Sequence, residues 1–156
     1  MLNEEQKKFR DHIIALSKKI APQYGIDWRL MAATAVLETG WGKSKLCQDA
    51  HNLFGIMATK STPYAEIYIL RADRWDKPKR FCSYQNDEES CHAYGGLLST
   101  SSHYAPAREA AFLAFIEKWA PVYCDDLGYG AKVLRLIRSI ETNGTTPAVA
   151  ETEPKD

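Results

Sequence analysis

The chain has 156 residues, and its 20 Lys and Arg balance 20 Asp and Glu. That length favours one domain and can bury a core without cross-links, while zero net charge leaves no field to steer the chain to nucleic acid or an anionic membrane. No apolar run approaches the roughly 20 residues of a membrane span, and the opening "MLNEEQKKFRD" has no apolar core of the export-signal kind.

Asn3 and Gln6 have the spacing of a capping box, and Phe9, Ile13, Leu16 and Ile20 recur at helical intervals. This first helix is expected to end at Pro22 and Gly25. Asp27 is the expected N-cap of a second helix, "WRLMAATAVLE", in which only Thr34 is polar from Leu30 to Leu37. That pattern predicts burial nearly all round, with Gly40 and Gly42 stopping the helix. Residues 43–63 show no period and read as irregular. "YAEIYILR" alternates, with Ala65, Ile67 and Ile69 on one side and Tyr64, Glu66 and Tyr68 on the other, the period of a half-buried strand. "RFCSY" is its expected hairpin partner.

Asn86 with Glu89 opens another helix through Cys91, Tyr94 and Leu98. Phe112, Phe115, Ile116 and Trp119 form a helical stripe expected to end at Pro121. Val133, Leu136, Ile137 and Ile140 form a last stripe, ended by Asn143-Gly144. The predicted architecture is a mostly helical domain over residues 1–142 with one small β-hairpin. The remainder, 143–156, is a Pro-, Thr- and Glu-rich tail expected to be disordered.

Glu38 draws attention first. Met31, Ala35 and Glu38 share one apolar helix face, and burial of a carboxyl favours its protonated form, as a general acid near neutral pH requires. An acid also sits badly at a helix C-terminus, a local conflict of the sort functional sites carry. A last-turn Glu pointing at water is the structural alternative. Trp41, between Gly40 and Gly42, either packs on the core or lines a cleft, where a flat ring suits a sugar face. In "HNLFGI", Asn52 could fix a turn and Gly55 would allow close backbone approach, while Phe54 reads as core. Glu66 lies between two tyrosines on one strand face, facing either a cleft or solvent. Tyr123 and Tyr129 flank an acidic loop in which Asp126 reads as a helix cap.

Cys47, Cys82, Cys91 and Cys124 contain no CxxC pair, which argues against zinc. They read equally as four buried thiols or as two disulfides of an oxidising compartment. Cys91 and His92 are neighbours whose side chains diverge by about 100° on a helix, which weakens a Cys–His dyad. No GxSxG elbow and no phosphate-binding Gly-rich loop occurs.

The stretch "ALSKKIAPQYGIDWRLMAATAVLETGWGKS" followed by "HNLFGI" resembles the glucosaminidases of bacterial peptidoglycan hydrolases, glycoside hydrolase family 73, over about residues 10–140. "RFCSY" and "YCDDLGYGAK" match two supporting motifs of that family. The resemblance implies a lysozyme-like fold with a β-lobe across a cleft. It implies hydrolysis of the β-1,4 bond between N-acetylglucosamine and N-acetylmuramic acid, with no cofactor or metal. Glu38 matches the catalytic acid, Tyr123 an active-site tyrosine, and Glu66 is the candidate second carboxylate in a shorter β-lobe than usual. Trp41, Asn52, Phe54, Gly55 and Tyr129 are the implied substrate-binding set. Met57 and the four cysteines depart from the family pattern. "GIMA" at 55–58 lacks the Gly-Leu-Met-Gln signal of lytic transglycosylases, and a catalytically silent wall-binding module is the reading from another class. The expected partners are peptidoglycan glycan strands and, for an antibacterial toxin, an immunity protein occluding the cleft. The expected place of action is the periplasm or cell wall, reached by a specialised secretion apparatus or by lysis.

Overall fold

The computed structural model of the chain describes residues 1–59, 67–71, 75–108 and 112–143. Asn3 opens α1 (Glu4–Ile20) through a reciprocal capping box, its side chain accepting from Gln6 N at 2.8 Å while Gln6 Oε1 accepts from Asn3 N at 2.9 Å. A 3-10 turn, Ala21–Tyr24, closes it with Pro22 at its start. Asp27 caps α2 (Trp28–Thr39), accepting from Arg29 N at 2.9 Å. Every residue from Leu30 to Val36 is buried, and α2 runs through the core between α1 and α7 (Tyr129–Asn143). Burying Leu30, Met31 and Val36 stabilises the fold by about 1.5–3 kcal/mol each.

The segment expected to be irregular contains a helix, α3 (Lys45–Ala50), started by Ser44 Oγ accepting from Cys47 N at 3.1 Å. Six residues are too few to display a helical period. Strands β1 (Ile67–Leu70) and β2 (Lys79–Cys82) pair antiparallel, with Ile67 opposite Cys82 and Leu70 opposite Lys79. Their sidedness corrects the alternation reading. Tyr68 and Leu70 pack with Leu46, Ala50, Phe81 and Trp75 in a small second cluster, whereas Ile69 is 59% exposed. The cause is α3, which offers the β-lobe its apolar Leu46 and Ala50 and also Asp49, whose carboxylate accepts from Tyr68 Oη at 2.6 Å. Residues 56–58 run along the other edge of β2, through Cys82 N to Ile56 O and Ala58 N to Arg80 O, both 3.0 Å.

Asn86 caps α4 (Asp87–Thr100), accepting from Glu89 N at 2.8 Å. After a 3-10 turn (Ser102–Tyr104) and α5 (Ala105–Arg108), α6 (Phe112–Tyr123) carries Pro121 inside its last turn. Pro121 was expected to end the helix. It removes only its own N–H, and the turn continues to Tyr123. The main core gathers α1, α2, α4, α6 and α7 around the fully buried Trp119. Asp126 lies in the turn that leads into α7, its side chain accepting from Gly128 N at 2.9 Å and its carbonyl from Tyr129 N at 3.0 Å. The tail from 144 onward lies outside the described residues.

All four cysteines are free, which corrects the disulfide reading. Cys47, Cys82 and Cys91 serve as small core side chains, and burial pushes the Cys47 thiol up to about 11 and Cys91 up to about 12.

α2 ends in an unusual run of positive φ at Gly40 (56°), Trp41 (61°) and Gly42 (82°). Thr39 braces it, its hydroxyl donating to Ala35 O at 2.6 Å and accepting from Gly42 N at 2.8 Å. A Cβ on Gly42 would lie 2.4 Å from the Phe9 ring. Gly42→Ala is therefore expected to cost about 1–3 kcal/mol, from strain and forced displacement of Phe9, lowering Tm by roughly 2–4 °C per kcal/mol. A thermal melt matching wild type would overturn this.

Candidate active site

α2 delivers Glu38 at its C-terminal end, directly after a stretch in which only Thr34 is polar. Burial holds the Glu38 carboxyl above its usual range, and the hydrogen bond from Tyr129 works against that rise. No ion pair reaches Glu38 among the described residues, so burial wins.

Tyr129, the first residue of α7, donates from Oη to Glu38 Oε1 at 2.5 Å. The ring is only 4% exposed. Burial, and then the Glu38 charge, push its phenol far above the ordinary tyrosine range, so it stays a donor at every working pH. The other oxygen, Oε2, faces Gly55, where a Cβ would stand 3.2 Å away. Gly55 also has φ 67, which a side chain rarely adopts. The glycine thus leaves Oε2 open.

The 52–56 loop is shaped from within. Asn52 is 1% exposed, and its Nδ2 donates to Ile56 O and to Cys82 O, both at 2.9 Å. Its Oδ1 accepts from Ile56 N at 3.1 Å and Phe54 N at 3.4 Å. Phe54 is 1% exposed and stacks on Tyr94, with ring centroids 4.1 Å apart. Neither side chain has surface to offer a sugar. They carry the loop, and what they present is backbone: the Phe54 carbonyl accepts from Tyr123 Oη. Tyr123 in turn packs against both Trp119 and Tyr129, at 5.1 and 5.9 Å, in a triangle closed by Trp119 and Tyr129 at 5.6 Å, and meets Tyr94 edge-on. Trp41 is half-buried against the main core, with part of its ring accessible.

Glu38, Gly55, Phe54, Tyr123 and Tyr129 are therefore brought together, with Asn52 beneath them. Glu66 lies outside the described residues. Tyr94 and Trp119, which floor the site, passed in the sequence as members of helical stripes. The only signal for Trp119 was the run of aromatic residues from Phe112 to Tyr123, and Tyr94 gave none. Among the described residues no group of three or more His, Cys, Asp or Glu is arranged to hold a metal ion, and no helix is long and apolar enough to cross a membrane.

Removing the Tyr129 bond has a defined sign. The bond itself lowers the Glu38 pKa, so Tyr129→Phe should move the Glu38 titration to higher pH, read by carboxyl 13C shifts. A shift to lower pH would contradict the assigned donor.

A family model for glucosaminidase, described as mannosyl-glycoprotein endo-beta-N-acetylglucosaminidase, matches residues 14–142. The peptidoglycan hydrolase FlgJ of Pseudomonas aeruginosa is 31% identical over 145 residues, 83% of this chain and 36% of that protein. The chain spans between a third and a half of the length of such curated relatives. The glycoside hydrolase domain of Salmonella typhimurium FlgJ superposes with a TM-score of 0.74 at 24% identity, covering 94% of both chains. A type VI secretion system effector–immunity complex from Pseudomonas protegens shares the fold at a TM-score of 0.67 and 15% identity, covering 90% of this chain and 94% of that one. With the family model spanning most of the chain, and a mostly helical lysozyme-like fold built around Glu38, the chain belongs to the glucosaminidase family of glycoside hydrolases.

Proposed function

We propose that this chain hydrolyses the β-1,4 bond between N-acetylglucosamine and N-acetylmuramic acid in peptidoglycan, with Glu38 as general acid. The observation that carries the reading is a half-buried carboxyl at the end of an apolar helix, held by a phenol and, among the described residues, by no cation. Tyr129 donates to Oε1, so the transferable proton sits on Oε2, the oxygen left open by Gly55. Proton transfer to the glycosidic oxygen leaves a carboxylate, which the Tyr129 O–H then stabilises. Tyr123 fixes the Phe54 carbonyl at the same site. Glu66 is the proposed second carboxylate. Its separation from Glu38 would select between water attack with inversion and a covalent intermediate, and the substrate's own acetamido group is the third route.

Reducing the products of digested sacculi and weighing them tests the bond and the chemistry together. Glucosaminitol termini are expected. Muramitol termini would relocate the cut, anhydro-muramic termini would make the chain a transglycosylase, and binding without products would make it a silent module.

The reading extends to delivery. The Pseudomonas protegens neighbour is an effector bound to its immunity protein, and an antibacterial role of that kind would place this chain in the target periplasm opposite an inhibitor covering Glu38. Export-tagged expression should then lyse cells that tolerate the same chain in the cytoplasm, and equal tolerance would remove that extension.

A further inference from the structure

Asp87 opens α4, and each of its carboxylate oxygens holds an imidazole. His12 Nε2, from α1, lies 2.7 Å from Oδ2, and His51 Nδ1 lies 2.8 Å from Oδ1. A carboxylate accepts and does not donate, so His12 carries hydrogen on Nε2 and His51 on Nδ1. The second of these is the less common form of a neutral imidazole.

His51 is also a backbone exception. It caps α3 in the left-handed region, with φ 51 and ψ 26. A residue with a side chain keeps that conformation only where its surroundings hold it. Asn52 follows directly, and then Leu53 N donates to the buried Ser90 Oγ at 3.1 Å. Asp87 and Ser90 lie one turn apart on α4, so that helix grips the segment twice. The Asn52 side chain gives the 52–56 loop its internal shape, but it bonds only to the loop and to Cys82, while its backbone N–H donates to Leu46 O of α3 at 3.3 Å. At its far end the loop is tied to the helical body by the Phe54 ring on Tyr94 and by Tyr123 Oη on the Phe54 carbonyl; at its entry the polar side-chain contacts are the two from α4. The same segment carries Gly55 to Glu38 and the Phe54 carbonyl to Tyr123.

We infer that Asp87 and His51 are a positioning pair that seats the 52–56 loop against Glu38, with His12 holding Asp87 from the other side. Neither residue touches the reacting atoms. They act through a loop whose displacement would uncouple Gly55 and the Phe54 carbonyl from the acid. The turnover arm of the test rests on the glycosidase reading; the other arms do not.

The test compares wild type with His51→Leu, Asp87→Ala and His51→Asn. An Asn amide nitrogen stands where Nδ1 stood, and Asn tolerates left-handed backbone, so it is the rescuing substitution. At mildly alkaline pH, 15N imidazole spectra of wild type should show the Nδ1–H form for His51 and Nε2–H for His12. Amide exchange at Leu53 and Ile56 should accelerate roughly ten- to a hundredfold in His51→Leu and Asp87→Ala, while α2 and α7 keep wild-type protection. His51→Asn should restore most of that protection. On peptidoglycan, kcat should fall about tenfold with KM within about twofold, and His51→Asn should recover it. An Nε2–H form for His51, unchanged loop exchange in Asp87→Ala, or failure of His51→Asn to rescue would each overturn the inference. If wild type cleaves no glycan, exchange and tautomer still decide the positioning role, and only the glycosidase reading falls.

Discussion

Glu38→Gln should lower glycan turnover by roughly a thousandfold, within the range a lost general acid costs, while sacculus binding survives. Gln keeps the shape of the side chain and an oxygen to accept from Tyr129, so the 2.5 Å contact can persist without a proton to give. The same variant carries a stability signature. The folded pKa of Glu38 is raised by burial, so its contribution to stability is complete below the unfolded value and is lost as pH rises through the folded one. Glu38→Gln has no such titration and should lose less stability than wild type on going from acid to neutral and alkaline pH. Full muropeptide release by Glu38→Gln would end the general-acid assignment. The companion Glu66→Gln then ranks the mechanisms: a comparable loss supports a second protein carboxylate, and a loss under about tenfold supports assistance by the substrate's acetamido group.

Glu38 was legible because its setting is local. An apolar period running into an acid, and then a Gly-Trp-Gly stop, can be read from twelve residues, and α2 ends as that stretch implied. The caps at Asn3, Asp27 and Asn86 were legible for the same reason. What escaped depends on partners distant in the chain. Tyr129 reads as a cleft residue until α7 is seen to pack on α2, which turns its hydroxyl inward to an acid 91 positions away. The face of β1 was inverted because its partner surface, α3, was too short to announce itself. His12, His51 and Asp87 come from three separate elements, and no spacing in the sequence joins them.

Asn52 shows the same limit and supplies the second large effect. Read from the sequence it could have been a sugar ligand. In the fold its amide makes four hydrogen bonds to backbone groups of 54, 56 and 82, and no part of it reaches solvent. Asn52→Ala would strand the Cys82 carbonyl and the Phe54 and Ile56 amides with poor access to water, and would leave the Ile56 carbonyl with Cys82 N alone. At about 1–3 kcal/mol for each unsatisfied group, less what the loop recovers by relaxing, the expected loss is about 3–5 kcal/mol. At roughly 2–4 °C per kcal/mol, Tm should drop by about 6–20 °C. Asn52→Asp is the sharper variant. It keeps both acceptor contacts, but it turns the two donors into an oxygen facing the Ile56 and Cys82 carbonyls, so it should fare no better than Ala. The two roles part cleanly in measurement. A sugar ligand at 52 predicts a raised KM with an unchanged melt. A loop hub predicts a large fall in Tm, faster amide exchange at Ile56 and a loss in kcat, because Gly55 no longer meets Glu38 in one geometry. A melt within about 1 kcal/mol of wild type for Asn52→Ala would return Asn52 to the substrate side of the site.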